Sequence, residues 1–368
     1  MLDFWKLIPH ATLLSGVFAM LLGAITSFIA IPVIVRICKV KGLTDKPNDR
    51  TSHNGSIPSL GGVAIFSGVL LGSALLMPTD HLDDPFRYII ASTFVLFLVG
   101  QKDDILGISW KKKLMAEICA SLILIVLGNI RFTSLFGLAG IHEIPPIASL
   151  ILTLVIFVGI INAFNLIDGI DGLASGTGIV ASFLMGSWMY GIGEHGMAVI
   201  AWALTGSLIP FFYFNVFGEK YKLFMGDTGS LMIGLLMGLF AAVICGKELP
   251  ADHILFMKAA PSVLIAILIY PLYDMIRVFT IRIAHGISPF KADRAHVHHL
   301  FLDAGYSHRR STFYILVLNV MAIFFALVLR NASILVLGLS LLAAAIFTTL
   351  VVREIGRRRI AKAVDDGR

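Results

Sequence analysis

Long apolar stretches with almost no charged residues recur from one end of the sequence to the other. A membrane core about 30 Å thick is crossed by roughly 20 residues of helix, so each such stretch predicts a spanning helix. Two of the stretches, 86–100 and 114–128, are short, which leaves ten spans with one re-entrant segment as the alternative. The preferred count is eleven spans, at 12–35, 58–77, 86–100, 114–128, 147–165, 173–192, 197–217, 230–246, 260–279, 312–329 and 332–352.

The composition excludes an ordinary soluble domain, since 57% of the residues are hydrophobic and only 14% are charged. The predicted fold class is therefore an all-α polytopic membrane protein. We expect one transmembrane domain over 1–352, with a basic tail at 353–368 that continues the last helix.

Lysine and arginine are divided unequally between the two faces of an eleven-span protein. One face carries 23 of the 29 basic residues. Because cytoplasmic loops hold the positive excess, the N-terminus is predicted outside and the C-terminus in the cytoplasm. The net charge of +6 then reports topology and gives no reason to expect a nucleic-acid partner. The predicted cytoplasmic loops are 36–57, 101–113, 165–172, 218–229 and 280–311.

Adjacent carboxylates, Asp103 and Asp104, follow the third predicted span. Two carboxylates at a membrane boundary repel each other and are costly to desolvate, so a cation should compensate them. Mg²⁺ or a lysine could do so. The alternative is a solvated acidic turn balanced by Lys102 and the lysines at 111–113.

A row of amides and carboxylates ends the fifth span, with one polar residue at every third position. If the helix breaks at Gly169 and Gly172, the amides project from its last turns and the carboxylates line a turn open to a ligand. Such residues are costly at a membrane boundary unless they have partners. The row consists of Asn162, Asn165, Asp168 and Asp171.

A glycine turn carrying Asp227 leads into the eighth span, within Phe-Met-Gly-Asp-Thr-Gly-Ser at 224–230. Backbone N–H groups at a helix start favour an anion, and the carboxylate is a hard oxygen ligand for a metal. A simple Asp or Thr helix cap fits the same pattern.

The longest polar loop contains Arg294 and a His-x-His-His motif made of His296, His298 and His299. Zinc is disfavoured because no fourth ligand of matching type is evident and the nearby Lys291 and Arg294 would repel a cation. Phosphate contact fits better, since guanidinium and imidazole both donate hydrogen bonds to oxyanions. A solvated histidine-rich loop is the alternative.

Two weaker signals accompany these motifs. Arg50 and His53 lie in a basic, turn-rich first loop that could hold a lipid phosphate or merely connect two spans. Asp274 and Arg277 are three residues apart near the end of the ninth span, and a mutual ion pair is the simpler explanation for them.

Taken in order, these motifs over about 36–310 resemble the polyprenyl-phosphate N-acetylhexosamine-1-phosphate transferases, a branch of glycosyltransferase family 4. The resemblance is strongest to bacterial members that act on undecaprenyl phosphate and N-acetylglucosamine. It implies a Mg²⁺-dependent enzyme of the bacterial inner membrane, with its site facing the cytoplasm and with Mn²⁺ as an alternative ion. Its substrates would be a UDP-N-acetylhexosamine and undecaprenyl phosphate, and it would release UMP and initiate cell-envelope polysaccharide synthesis. A homodimer is compatible with this.

The resemblance also implies roles for the matching residues. Asp227 would be the main metal ligand, with Asp168 as a second, and Asp103 or Asp104 would take a proton from the polyprenyl phosphate. The remaining motif residues would bind substrate: Asn162, Asn165, Asp168, Asp171, Arg294, His296, His298 and His299, together with Arg50 and His53 in a less defined role.

Two departures from the family pattern matter. Gly107 stands where many members have a third acidic residue, so only two acids are carried over from that motif. Val297 interrupts the histidines, which argues against a peptidyl-sugar substrate.

Alternatives remain at the level of function. A transporter of lipid-linked substrates should show mid-span charges and repeat symmetry, and a membrane scaffold would not need four polar clusters. Within the transferase hypothesis, direct displacement is favoured over a covalent aspartyl intermediate because a lipid phosphate is already a competent nucleophile.

Overall fold

The computed structural model describes residues 11–43, 57–77, 84–247, 249–250, 252–288 and 295–365. Within those ranges the chain forms thirteen α-helices and one short β-hairpin. The helices are α1 (Ala11–Lys41), α2 (Gly61–Leu76), α3 (Asp84–Leu106), α4 (Trp110–Leu122), α5 (Pro146–Ile167), α6 (Leu173–Gly191), α7 (His195–Phe217), α8 (Gly226–Gly246), α9 (Ala260–Ile267), α10 (Ile269–Ala284), α11 (Val297–Asp303), α12 (His308–Val328) and α13 (Ile334–Asp365). A π-helical turn, Ile123–Leu127, extends α4, and antiparallel strands β1 (Ser134–Leu138) and β2 (Ile141–Glu143) form the hairpin.

The chain packs as two units. The first comprises the described residues of Met1–Ile161 and Gly178–Leu255, and the second those of Asn162–Thr177 and Phe256–Arg368. The boundaries fall within α5 and α6, so the polar row that links these two helices belongs to the second unit.

Helix α8 is the buried centre of the first unit. In its most apolar 18-residue window 89% of the residues are buried, against 22% for α1, whose outward side chains are mainly Leu, Ile, Val and Phe. Apolar exposure of this kind is stable only against lipid. Small residues let the helices approach closely: a Cβ on Gly23 of α1 would lie 2.6 Å from the Ala203 carbonyl oxygen of α7.

Within the part of the chain that the structure describes, six helices are long and apolar enough to cross a membrane: α1, α5, α7, α8, α12 and α13. Helices α9 and α10 together would make a seventh, although they meet at an angle of 80°, as in a broken span or a re-entrant loop. The other four predicted stretches also coincide with helices, namely α2, α3, α4 and α6. Of these, α2 is apolar but short, and the other three do not combine the length and the apolar character needed to cross a membrane. The protein is a multi-pass membrane protein, whereas the count of eleven spans and the orientation of the termini stay predictions.

The α9–α10 bend is held by side chains of the second unit. The break frees the carbonyl oxygen of Ile267, which accepts a hydrogen bond from Asn319 Nδ2 of α12 at 3.3 Å. Ser262 Oγ of α9 donates to the Ile334 carbonyl oxygen at the start of α13, at 2.9 Å. Such partners are required because a backbone group freed within a membrane has no water to bind.

Several predicted loop boundaries need correction. Helices continue past the apolar stretches, so much of the predicted loop 101–113 is helical, in α3 through Leu106 and in α4 from Trp110. The predicted loop 280–311 likewise contains the end of α10 and all of α11. Hydropathy marks where a helix leaves the lipid, not where its backbone hydrogen bonding ends. The β-hairpin was not predicted, while the helical continuation of the C-terminal tail is confirmed up to Asp365.

Candidate active site

Three helix ends of the first unit bring together an acidic cluster, defined as Asp103, Asp104, Lys113, Asp227 and Thr228. Asp103 lies at the end of α3, Lys113 in the first turns of α4, and Asp227 in the first turn of α8. The Lys113 ammonium group contacts Asp103 Oδ2 at 2.6 Å and also binds the Asp227 carboxylate. One cation therefore lies between two carboxylates.

The charges of this cluster support one another. Burial opposes ionisation of Asp103, but hydrogen bonds with Asp227, Lys113 and the Ile108 N–H hold its pKa below the usual value. Burial also opposes the charge on Lys113, yet the two neighbouring carboxylates keep its pKa above the usual value. At neutral pH Asp103 is ionised and Lys113 is a cation.

Asp104 makes different contacts although it is adjacent to Asp103. Its Oδ1 accepts a hydrogen bond from the Asp227 N–H at 2.7 Å. Its Oδ2 accepts two from Thr228, one from the N–H at 3.0 Å and one from the hydroxyl at 2.6 Å. Burial raises the pKa of Asp104 to about 7, and the Thr228 hydrogen bonds oppose that rise. The carboxylate thus binds the start of α8.

Glycines make this approach possible. Gly226 has φ +71, and a Cβ there would lie 2.6 Å from both Asp104 oxygens. A Cβ on Gly100 of α3 would lie 2.5 Å from Thr228 Cα. The turn before α8 is also held by backbone bonds to the segment preceding α2, with Phe224 N–H donating to the Pro58 carbonyl at 2.7 Å.

The structure bears on one alternative left open for the sequence motif at 224–230, that of a simple helix cap. The residue before α8 is Met225, and it provides no side-chain cap. Asp227 is therefore not a simple helix cap, because Asp104 from another helix takes that role. Among the described residues no group of three or more His, Cys, Asp or Glu side chains is arranged to hold a metal.

The second unit contains a histidine cluster, defined as Asp274, Arg282, His296, His298 and His299. Asp274 of α10 is fully buried; its Oδ2 lies 2.8 Å from His296 Nδ1, and its Oδ1 accepts the Val297 N–H at 2.8 Å. Arg282 Nη2 lies 3.5 Å from His296 Nε2. One imidazole is thus placed between a carboxylate and a guanidinium group.

The predicted Asp274–Arg277 ion pair is present, but only at 3.9 Å. The shorter contacts of Asp274 are those to His296 and Val297, and Arg277 Nη1 donates to the Ala295 carbonyl at 2.6 Å. Both side chains of α10 therefore fix the segment that leads into α11.

The three histidine rings pack against one another. The His296 and His298 rings are nearly parallel, with centroids 5.4 Å apart, and those of His298 and His299 are 4.4 Å apart. Burial, with the neighbouring histidines, holds the pKa of His298 well below its usual value. His298 is accordingly neutral at neutral pH, so it can donate a hydrogen bond to a phosphate but adds no positive charge.

The amide and carboxylate row lies where its glycines predicted. Helix α5 ends at Ile167 and α6 begins at Leu173, and Gly172 between them has φ +80. A Cβ on Gly169 would lie 2.5 Å from His298 Nε2, so glycine lets the imidazole reach this turn. The row and the histidine cluster meet within the second unit.

The far end of the turn is held by α12. The Asp171 carbonyl accepts the Thr312 hydroxyl at 2.7 Å, and Asp171 Oδ2 lies 3.9 Å from His308 Nδ1. Asn162 and Asn165 are on the last turns of α5, and Asp168 opens the turn that follows.

The remaining predicted site residues, Arg50, His53 and Arg294, lie outside the residues that the structure describes. Sequence reasoning did not assign site roles to Lys113, Asp274 or Arg282. Lys113 was one of several lysines beside the acidic pair, and Asp274 was assigned to an ion pair within its own helix. A signal for Asp274 was its charge within a predicted span.

Comparison with known proteins identifies a family and relatives with one shared name. Residues 86–245 match the family model described as glycosyl transferase family 4. The undecaprenyl-phosphate alpha-N-acetylglucosaminyl 1-phosphate transferase of Escherichia coli K12 is 31% identical over 281 residues, which cover 75% of this chain and 73% of that protein. The protein of the same name from Haemophilus influenzae is 36% identical over 301 residues, covering 80% and 81%. That from Salmonella typhi is 32% identical over 311 residues, covering 83% and 80%.

Proposed function

This chain belongs to glycosyl transferase family 4, and on that premise we propose that it transfers N-acetylglucosamine 1-phosphate from UDP-N-acetylglucosamine to undecaprenyl phosphate, with release of UMP. The names of relatives that match more than two thirds of the chain support the transferred group, N-acetylglucosamine 1-phosphate, and the acceptor, undecaprenyl phosphate. One phosphoanhydride bond forms as another breaks, so the exchange is nearly isoenergetic. The main task of the protein is to bring two anions together.

The observation that carries the proposal is the convergence of Asp103 and Asp227 on one cation, the Lys113 ammonium group. Two phosphate groups about 5 Å apart repel by roughly 1 kcal/mol per pair of unit charges in water, and by more near a membrane. Carboxylates cannot relieve that repulsion by themselves. They can do so by holding a cation.

The acidic cluster fits Mg²⁺, since it already accommodates a cation between two hard oxygen donors. Mg²⁺ in phosphoryl-transfer sites is commonly bound by one or two carboxylates plus substrate phosphates, so a third protein ligand is not needed. Asp227 would hold it with Asp103 beside it, and Mn²⁺ would suit the same donors. The bound ion would neutralise charge on the phosphates. Asp168, the other predicted ligand, stays a prediction.

The chain's own groups then have separable tasks. Asp103, ionised by its hydrogen bonds, accepts the proton of the undecaprenyl phosphate. His298 is neutral and donates a hydrogen bond to a phosphate oxygen, and Arg282 supplies charge beside His296. Asn165, Asp168 and Asp171 remain proposed contacts of the nucleotide.

Direct displacement at the sugar-bearing phosphorus is the proposed route. It predicts no exchange of labelled UMP into UDP-N-acetylglucosamine when undecaprenyl phosphate is rigorously removed. Robust exchange under that condition would show a covalent intermediate.

The experiment that tests the reaction uses the purified full-length protein in detergent with radiolabelled UDP-N-acetylglucosamine and undecaprenyl phosphate. We expect a lipid-linked product and an equal amount of UMP, lost in EDTA and restored by Mg²⁺. Asp227→Asn should lower the rate at least about 10³-fold, since a metal ligand is lost. The matched control, Asp252→Asn at an exposed aspartate, should keep the wild-type rate.

Failure of the wild-type protein to form product would overturn the proposal. A transporter could not yield product in detergent, where no compartments exist. UDP-N-acetylgalactosamine run in parallel tests the sugar. The location in the bacterial inner membrane, the cytoplasmic site, the role in cell-envelope polysaccharide synthesis and a homodimer belong to the same proposal.

A further inference from the structure

Asp103 and Asp104 are adjacent in sequence but serve different parts of the first unit. Asp103 contacts the Lys113 ammonium group and the Ile108 N–H. Asp104 instead contacts the start of α8, through the Asp227 N–H and two groups of Thr228. The resemblance gave the two aspartates one shared role, beside the metal and as proton acceptor. Their different contacts allow each aspartate to be given its own role.

We propose that Asp104 is a positioning residue that caps α8 from another helix and so fixes Asp227, leaving Asp103 as the acid of the pair that performs metal and proton chemistry. The inference rests on the proposed function and deepens it.

Hydrogen-bond accounting supports this division. An ionised carboxylate offers about four lone-pair sites, and Asp104 uses three of them on α8. Direct binding of a metal, or acceptance of a proton, would break bonds that hold the helix start. Asp103 would lose no contact to α8 backbone in the same step.

The start of α8 also needs an external partner. The first N–H groups of any helix lack acceptors within the helix, and a side chain just before the helix usually supplies one. Here the preceding Met225 supplies none. The Asp104 carboxylate instead accepts both the Asp227 and the Thr228 N–H.

The backbone is shaped to admit the carboxylate. Gly226, with φ +71, leaves the space in which any side chain would meet the Asp104 oxygens at 2.6 Å. Gly100, four residues before Asp104, lets α3 lie against Thr228. Both glycines serve the approach of α3 to α8, as expected for a structural contact between helices.

The first test compares asparagine at each position in the full-length protein. Asparagine cannot act as a base, and its single carbonyl oxygen keeps only part of the cap, because its NH₂ group must face one of the α8 donors that Asp104 accepts. Asp104→Asn should lower kcat about 10- to 100-fold, with the acidic limb of the pH profile unchanged. Asp103→Asn should lower kcat at least about 10²- to 10⁴-fold. Equal, large losses in both variants would overturn the proposal.

The second test needs no activity and no metal. Thermal unfolding is measured in EDTA for Asp104→Ala, Thr228→Val and the double variant. Because Thr228 acts on Asp104 through its hydroxyl, the double variant should be no less stable than Asp104→Ala. The control is Thr205→Val, at a buried threonine whose hydroxyl bonds Ser182 and the Ala201 carbonyl. Its loss of stability should add fully to that of Asp104→Ala.

The outcomes separate the two proposals. Full additivity of Thr228→Val with Asp104→Ala would overturn the capping role. The unfolding cycle in EDTA could show coupling between Asp104→Ala and Thr228→Val while the wild-type protein forms no lipid-linked product. That result would support the capping role of Asp104 and reject the proposed function. If Asp104→Ala does not fold, the cycle is run on Asp104→Leu, which is close to aspartate in size and cannot accept a hydrogen bond; strong coupling with Thr228→Val again supports the cap and additivity rejects it.

Discussion

Lys113 and Asp274 each balance a charge that the membrane-embedded body of the protein would not otherwise tolerate. Lys113 offsets two carboxylates, and Asp274 fixes an imidazole beside the Arg282 guanidinium group. Removing one partner of such a set leaves the other charges uncompensated, which costs more than the contact itself contributed. Both residues should therefore be sensitive to substitution although neither was a predicted site residue.

Lys113→Met should destabilise the metal-free protein, because Asp103 and Asp227 would then repel each other. We expect a loss of about 2 kcal/mol in EDTA, most of it recovered when Mg²⁺ is added. Thermal unfolding with and without Mg²⁺ measures this. Lys112→Met, at an exposed neighbour, is the control and should behave as wild type in both conditions. Equal Mg²⁺ stabilisation of Lys113→Met and wild type would contradict the expectation.

Asp274→Asn should lower transfer activity by about 10- to 100-fold without unfolding the protein. The amide can still accept the Val297 N–H, but its NH₂ group would face His296 Nδ1 and force the other tautomer of the ring. Initial rates at saturating substrates measure the effect. Thr280→Val, an exposed position on the same helix, should leave the rate unchanged. A wild-type rate in Asp274→Asn would rule out this positioning role.

Two helices that carry site residues are held at their first turns by the same device. Asp104 of α3 accepts the first N–H groups of α8, and Asp274 of α10 accepts the Val297 N–H at the start of α11. In both cases an aspartate on one helix thus holds the start of another helix. The other end of α11 is held from α13, where Arg359 Nη1 donates to the Ala304 carbonyl at 2.6 Å and its guanidinium lies over the Tyr306 ring.

Arg359→Ala should therefore loosen the C-terminal end of α11. Loss of the bond to the Ala304 carbonyl should raise amide hydrogen exchange over 300–306, at a cost of about 1 kcal/mol. Arg358→Ala is the matched control, because its guanidinium bonds Glu354 on its own helix at 2.8 Å. Similar exchange in the two variants would show that the tail does not brace α11.

At the scale of the whole molecule, most side chains of the polar clusters occur at helix ends, beyond the apolar stretches, whereas Asp274 lies within a predicted span. Asp103 and Lys113 flank the α3–α4 connection, Asp227 starts α8, and the histidines start α11. The unequal distribution of lysine and arginine predicts that these ends share the cytoplasmic face. The same argument predicts that the β1–β2 hairpin lies outside.

Reporter fusions test that orientation. Green fluorescent protein at the C-terminus should fluoresce, and alkaline phosphatase at the same point should be inactive. After Cys38, Cys119 and Cys245 are replaced by serine, His142→Cys in the hairpin should react with a membrane-impermeant thiol reagent on spheroplasts, and Lys111→Cys should not. Labelling of Lys111→Cys and not of His142→Cys would show that the protein has the opposite orientation in the membrane.

Much of this protein follows from local properties of the sequence. Apolar run length predicted helices at every stretch, because partition into lipid depends on each segment alone. The glycine-punctuated row at 162–173 predicted its own helix break, and the order of the motifs predicted the family that the comparisons confirmed. Roles of the individual site residues stay predictions.

Only the tertiary structure decided which polar groups meet. Lys113 reaches Asp227 across 114 positions of sequence, and Asp104 reaches the Asp227 N–H across 123. His296 reaches Asp274 across 22 positions, which separate two helices. Hydrophobic spacing specifies that a segment is a helix but not which neighbour its ends face. Close approach at Gly100 and Gly226 sets that choice, and it gave two adjacent aspartates different partners.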